Sequence, residues 1–580
     1  MSRLRLLPLV ALSLTLASAP ALAERDVDGI EELLPHAESR LEWERLAESG
    51  QQPIGRGLRA DPPPMAPIRN CAEWEPLTGV LIRYPLGLPY SLLQDLDDWG
   101  TLHVVVSSAN LTNATNAFNA NGVNLANVQF LVKPNNSIWT RDYGPWFVFD
   151  GNGDCAIIDH VYNRPARPND DLIPVEFAIQ QSLPYYRHDM WHTGGNYMTD
   201  GAHFSMSTDL VYNEALSANG LTSTQVDQLM NDYYGIDQYN VVQDIAAGGI
   251  HHIDTWGKFL DEESILIKET VSTHYTYAAL EQRATLIASL PASTGRNYRV
   301  HRVFCQLISG GEPASYTNSL IMNDHVCVPM FANATRDSAA LDVYRAAMPG
   351  YDVRGYAYGG WLTDDALHCR AKGVMDREML RVAHVPVRDA QEGPVTIVAE
   401  VDDRSETGLT AVELHYRFAA DVWNTVAMSA TGGDLYEGTI PSPGTATDVE
   451  YYVLAADASG RQEGMPRSAP AGWYTFPISP APTDAPVAHR LGDPHAWPNP
   501  FTDESRFSFE LKYADRVDLA VYDVGGRLVR RLVDEERPAG RSEIVWDGRD
   551  DAGARLPAGV YYYRLRAAGI AYSRPVVLAH

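Results

Sequence analysis

The residues able to do covalent chemistry lie in five short polar motifs. One is Ala366-Leu367-His368-Cys369-Arg370, which follows Gly359-Gly360 and the acidic pair Asp364-Asp365. Neither strand alternation nor a helical stripe gives Cys369 a packing role, so it reads as a nucleophile. In Trp139-Thr-Arg-Asp-Tyr-Gly-Pro-Trp146, Asp142 stands among aromatic residues, Trp139 included, and Gly144-Pro145 fixes a turn. That pattern suits a pocket wall where a carboxylate meets a planar cation; alone, Asp142 reads more readily as a cap or turn residue. Gly248-Gly-Ile-His-His-Ile-Asp-Thr-Trp-Gly257 supplies His252 and Asp254. In an extended segment these two would project to one face, with His251 turned away. A metal site is the competing reading, but no further ligand spacing supports it. Ser315-Tyr-Thr-Asn318 opens a strand, and Asn318 would orient a substrate or the thiol, or cap the turn. His192-Thr-Gly-Gly-Asn-Tyr197 reads as loop scaffolding at the same rim, where Gly194-Gly195 allows close backbone approach.

A sixth stretch, Tyr162-Asn-Arg-Pro-Ala-Arg-Pro168-Asn-Asp-Asp171, presents Arg164 and Arg167 on a Pro-bounded loop. They would clamp a carboxylate bidentately, or remain solvated loop charges. Together, a Cys, a His, two Asp and an Asn, with no phosphate loop, suit hydrolysis of a guanidine. Two carboxylates would hold the guanidinium while a thiolate attacks its central carbon. The histidine would protonate the departing ammonia and then activate water. The intermediate is a covalent thiouronium, and no cofactor or metal is implied.

The elements that must position these residues follow from periodicity. At 580 residues the chain is too long for one core. Arg3, Arg5, the apolar run Leu6 to Ala17 and Ala21-Leu22-Ala23 read as a secretory signal peptide, residues 1–23. Residues 24–66 form an N-terminal arm or pro-segment, with a charged helical stretch from Asp26 to Gly50. Strands and helices then alternate over 67–388: Gly79 to Tyr84, Ser91 to Trp99 and Leu102 to Ser107 make one unit. Met206 to Tyr212, Ser223 to Tyr234 and Tyr239 to Val242 make another, and Leu320 to Phe331, Asp337 to Ala347 and Tyr351 to Arg354 a third. The pattern is α/β, compatible with an open sheet, a barrel or a propeller. Short alternating strands over 389–479 predict a β-sandwich of immunoglobulin size, a Pro-rich linker covers 480–496, and a second sandwich covers 497–580.

A net charge of −28 argues against nucleic acid and would favour cationic substrates. No run after the signal is long and apolar enough to span a bilayer. The expected location is secreted or cell-surface. Of the five cysteines, Cys155, Cys305 and Cys327 lie in apolar runs and read as buried small hydrophobes; disulfide pairing stays open.

The stretch from Tyr84 to about Val374 resembles the Porphyromonas-type peptidylarginine deiminases, within the agmatine deiminase family of guanidino-modifying enzymes. The five motifs carry the likeness in order, as Trp139 to Trp146, His192 to Tyr197, His252-Ile-Asp-Thr-Trp-Gly-Lys, Ser315 to Asn318 and Asp365-Ala-Leu-His-Cys-Arg. The resemblance implies a five-bladed α/β propeller (pentein), Cys369 as nucleophile and His252 as acid and base. It also implies Asp142 and Asp254 on the guanidinium, with Asn318 in support. The arginine loop favours the peptidyl branch, where a close Arg pair binds the α-carboxylate of a C-terminal arginine. Ala166 makes the spacing here Arg-Pro-Ala-Arg instead of Arg-Pro-Arg, which leaves Arg167 the less certain partner. Trp497-Pro-Asn-Pro-Phe501, Val521 to Gly526 and Leu556 to Tyr561 resemble FlgD-type Ig-like modules of bacterial surface proteins. Such modules can act as sorting signals, so secretion machinery is an expected partner. The expected activity is conversion of peptidyl arginine to citrulline and ammonia. The rivals are a deiminase of agmatine or other small guanidines, and a non-catalytic surface protein that binds arginine peptides.

Overall fold

The computed structural model describes residues 38–54, 60–246, 249–308, 310–419, 421–481, 494–511, 514–524, 527–567 and 570–579. The expected signal peptide, the start of the arm and most of the 480–496 linker lie outside them. The chain divides into two compact units, Met1–Pro441 with Thr447–Ile478, and Ser442–Ala446 with Ser479–His580.

The first unit contains a mixed α/β region of five small sheets. Each repeats one plan, an antiparallel pair followed by a parallel strand. In the first, Lys372–Met375 pairs antiparallel with Leu77–Tyr84, which runs parallel to Thr101–Val106 and then Val128–Val132. The second joins Arg69–Asn70, Trp146–Phe149, Cys155–Tyr162 and Tyr185–His192. The third joins Met198–Thr199, Phe204–Thr208 and Gln238–Val242. The fourth joins Gly257–Phe259, Ser264–Glu269 and Arg299–Phe304, and the fifth Leu320–Met322, His325–Met330 and Asp352–Ala357. Parallel neighbours need a crossover, and helices such as Tyr90–Trp99, Ser223–Tyr234 and Ala334–Ala347 supply it. Val104, Val105 and Val106 are buried in succession, the sign of a strand covered on both faces.

One expected strand is half helix. Met206 to Tyr212 is a strand only to Thr208; Leu210–Asn219 is helical and buries Val211 and Ala215, four residues apart on one face. Helical spacing outweighed the apolar run there.

A two-sheet sandwich follows. One sheet orders Leu380–Ala383, Val395–Asp403, Leu435–Ile440 and Ser429–Gly432; the other centres on Thr447–Asp457 between Tyr474–Ser479 and Leu409–Phe418. Its first strand, Leu380–Ala383, therefore starts ahead of residue 389. Ile397, Leu414, Val453 and Phe476 fill its core. In the second unit, strands 495–497, 505–511 and 540–546 form one sheet and 528–537, 515–523, 559–567 and 570–578 another. Phe507, Trp546, Tyr563 and Leu565 pack between them. All five cysteines are free and buried. No helix among the described residues is long and apolar enough to cross a membrane.

Candidate active site

The functional side chain of each of the five motifs lies just ahead of a strand of a different sheet's antiparallel pair. Asp142 sits on the one-turn helix Thr140–Tyr143 before Trp146–Phe149. Gly195 and Asn196 lie in the 3₁₀ turn Gly194–Asn196 before Met198–Thr199. His252 and Asp254 border and occupy the 3₁₀ turn Ile253–Thr255 before Gly257–Phe259. Asn318 precedes Leu320–Met322, and Cys369 lies in the 3₁₀ turn His368–Arg370 before Lys372–Met375. Equivalent places in five repeats are thus occupied by five different chemistries. His252 and Asp254 share the site because of a tight turn, not the extended segment their spacing predicted. His251 takes a left-handed φ of 61° and pairs with Asp244, Nδ1 to Oδ2 2.8 Å.

The side chains converge around Gly195. A Cβ at that position would lie 2.7 Å from Asp142 Oδ1, 2.7 Å from His252 Nδ1 and 3.2 Å from Asp254 Oδ2. The glycine's N–H donates to Asp142 Oδ1 at 3.2 Å, and His252 Nδ1 is 3.5 Å from the same oxygen. Cys369 Sγ stands 3.5 Å from Asp254 Oδ2. Asn318 holds the cysteine turn from both ends of its amide. Its Nδ2 donates to Cys369 Sγ at 3.2 Å, and its Oδ1 accepts from Ala366 N–H at 3.0 Å and Cys369 N–H at 3.3 Å. All five residues are buried.

Burial sets the electrostatics. It pushes the Asp142 carboxyl up to about 7, helped by the neighbouring charge of Asp254. It pushes His252 down to about 3, so the imidazole is neutral. The Cys369 thiol is driven well above its usual range by burial and by Asp254, Asp365 and Asp142. Burial also acts to raise Asp254, but its hydrogen bond and charge contact with His368 outweigh this and hold it below the usual carboxylate value.

His368 and Glu73 complete a layer behind the cysteine that the motifs did not reveal. His368 Nδ1 is 2.7 Å from Asp254 Oδ2 and its Nε2 is 2.6 Å from Glu73 Oε2. Glu73 also takes Lys258 Nζ at 2.6 Å and lies 3.3 Å from Arg141 Nη2. An imidazole donates from both nitrogens only as the cation. Burial, with Arg141 and Lys258 close by, works against that charge. Glu73 and the hydrogen bond to Asp254 work in its favour, so the imidazole is held between two carboxylates. The adjacency of His368 to Cys369 was the only sequence signal available, and Glu73 had none.

The remaining expected residues divide. Trp139 is buried with its ring 5.5 Å from the Arg370 guanidinium, which also pairs with Asp365; it braces the cysteine turn. Arg164 is half-buried and donates to Asn163 O at 3.1 Å, in the field of Asp142, His252 and Glu214. Arg167 is fully buried and binds Glu42 Oε1 through Nε at 2.7 Å. A recess of about 280 Å³ borders the loops that carry His252 and Cys369; His251, Thr363 and Asp364 line it, with Asp244, Glu312 and Lys268. Among the described residues no group of three His, Cys, Asp or Glu is arranged to hold a metal ion.

A family model described as Porphyromonas-type peptidyl-arginine deiminase matches residues 70–371, more than half of the chain. A second, the FlgD Ig-like domain, matches residues 496–569. A relative from Enterococcus faecalis, provisionally named an agmatine deiminase, is 24% identical over 278 residues, spanning 40% of this chain and 74% of that protein. One from Shewanella baltica with the same provisional name is 24% identical over 267 residues, 40% of this chain and 71% of the relative. The solved agmatine deiminase of Enterococcus faecalis aligns at a TM-score of 0.47 and 20% identity, over 53% of this chain and 96% of that one.

Proposed function

Because the chain belongs to the Porphyromonas-type peptidyl-arginine deiminase family, and so is a guanidino-group deiminase hydrolysing carbon–nitrogen bonds, we propose that it converts peptidyl arginine to citrulline and ammonia. The preferred substrate is an arginine at the peptide's C-terminus. The observation that carries this reading is the convergence on Gly195 of two carboxylates and an imidazole, with a thiol 3.5 Å from one of the carboxylates.

Asp142 and Asp254 grip the planar guanidinium by charge-assisted hydrogen bonds. The arriving cation offsets the negative field around Cys369, and the thiol proton passes to His252. The thiolate attacks the guanidinium carbon and forms a C–S bond. His252 returns that proton to one amino nitrogen, the C–N bond breaks and ammonia leaves. Water then attacks the thiouronium carbon and gives a proton to His252; the C–S bond breaks, His252 returns that proton to the thiolate, and the remaining hydroxyl proton is lost to solvent, where it makes ammonia ammonium, leaving the ureido product.

Peptidyl preference draws support from Arg164, whose guanidinium lies in the field of the catalytic groups and would meet a substrate carboxylate. The acidic recess beside His251 and Asp364 favours a second reading, agmatine, whose free amine it would attract. The five repeated sheets support closure into a propeller, since Lys372–Met375 returns to pair with Leu77–Tyr84. Export, suggested by residues 1–23, belongs to the same proposal. Incubation with an arginine-terminated peptide should release ammonia and yield a citrulline product by mass, and Cys369→Ala should abolish both. Turnover unaffected by that substitution would remove the nucleophile from the account.

A further inference from the structure

A cavity of about 30 Å³ adjoins the layer of Glu73, His368 and Asp254, and those three residues form one side of it. It has room for about two water-sized atoms. Cys369, His252 and Asp142 do not line it, so it is separate from the place where substrate would react. Strands of four of the five sheets wall it: Trp146–Phe149, Met198–Thr199, Gly257–Phe259 and Lys372–Met375. Three buried cations line it, Arg141, Lys258 and Lys372, and they are unequally compensated. Lys258 Nζ is 2.6 Å from Glu73 Oε1. Arg141 Nη2 lies 3.3 Å from the other oxygen of Glu73 but makes no hydrogen bond. Lys372 Nζ stands 3.6 Å from the centre of the Trp146 ring, and its side chain has no hydrogen-bond or ion-pair partner among the described residues. Two carboxylates thus face three fixed cations, and one of the two, Asp254, is already engaged by His368. The Cys71 thiol on the same wall adds no negative charge, because burial drives its ionisation well above the usual range.

We propose that this cavity binds one small monovalent anion of the halide class, held between Lys372 Nζ and Arg141 Nη2. The class follows from donor chemistry and size. Both atoms offered to the ligand are cationic donors, and neither can accept a hydrogen bond. The volume admits a single halide and excludes phosphate, sulfate and organic acids. Apolar walls from Phe259 and Met375 suit chloride or bromide over fluoride, which gives up its water reluctantly. A buried charge without a partner is costly, and an anion beside Lys372 removes that cost. The same balance appears in the lysine itself. Burial, with Arg141 and Lys258 close by, drives its proton affinity well below the ordinary lysine value, a penalty that a neighbouring anion reverses. The site concerns the folded chain alone and stands whether or not the chain turns over arginine.

The test measures the urea midpoint of the full chain as sodium chloride replaces sodium gluconate at constant ionic strength, gluconate being too large for the cavity. The midpoint should rise with chloride and level off, as it does for a ligand that saturates one site on the folded chain. Bromide should act like chloride, and fluoride should not. In Lys372→Met the response to chloride should disappear. Crystals of the wild-type chain soaked in sodium bromide should show an anomalous peak within hydrogen-bond distance of Lys372 Nζ, a result that does not depend on the variant folding. A midpoint that ignores chloride, that climbs without levelling off, or that responds equally in Lys372→Met would overturn the site. Bromide peaks confined to the protein surface would overturn it as well, and leave Lys372 a neutral amine beside water.

Discussion

Cys369 is a thiol that its own surroundings keep protonated until the substrate arrives. Three carboxylates, of Asp254, Asp365 and Asp142, face it in a buried site and disfavour a further negative charge. A bound guanidinium reverses that field, which ties ionisation of the nucleophile to occupancy. Asp142 sets the pH dependence. Its carboxyl is pushed up to about 7, so below that value it is protonated and cannot pair with the cation. The expected kcat/KM therefore rises as pH increases through about 7, and a profile flat between 6 and 8 would contradict the assignment. Gly195→Ala places a methyl 2.7 Å from both Asp142 and His252. Activity should fall by about 10²-fold, with the unfolding midpoint nearly unchanged, since displacement of catalytic groups by a fraction of a bond length is costly. Cys369, His252, Asp142, Asp254 and Asn318 were legible because each lies in a compact motif with its own glycines or aromatics. Glu73 was not, because its partner His368 is 295 residues away and only the folded chain brings them together.

At the scale of elements, the site depends on turns that hand a polar side chain to the start of a strand. The backing layer of Glu73 and His368 anchors the cysteine turn to the fourth and fifth sheets through Lys258 and the Ile321 N–H. Glu73→Gln should lower kcat about tenfold, roughly 1.4 kcal/mol in the barrier, while KM for the peptide changes little. A change confined to KM would place Glu73 in substrate binding instead. The first sandwich is joined to the α/β region by buried charge. Arg467 lies 2.9 Å from Glu463 and 3.9 Å from both Glu75 and Glu262. Arg467→Met removes that charge from Glu463 and Glu262, while Glu75 keeps Arg69 and Arg381, and should cost about 3 kcal/mol, read as a lower denaturant midpoint. Strand and helix positions were largely readable, because β-branched runs and capped amphipathic stretches dominate: Ser223–Tyr234 forms as expected, opened by the Thr222–Gln225 capping box and closed by Gly235. The antiparallel pairings were not readable, since two-residue and three-residue strands such as Met198–Thr199 have no periodicity of their own.

At the scale of the molecule, the whole chain carries a net charge of −28, which would attract the cationic substrate proposed above. Raising ionic strength from about 0.01 M to 0.15 M shortens the screening length from about 30 Å to 8 Å. The expected result is a several-fold fall in kcat/KM for a cationic substrate, mostly in association; an unchanged value would remove electrostatic steering from the account. The sequence pattern announced two sandwiches after the α/β region, and turn residues between alternating strands made them visible. It could not announce that Leu380–Ala383 joins the first sandwich, because four residues beside the last motif read equally well with either region. The proposed activity is deimination of arginine at a peptide's C-terminus. The most direct measurement compares ammonia release from a peptide ending in free arginine, from its C-terminal amide and from agmatine. The free carboxylate should gain at least a tenfold advantage in kcat/KM, about 1.4 kcal/mol, lost in Arg164→Ala. A preference for agmatine, or equal rates on the peptide and its amide, would contradict it.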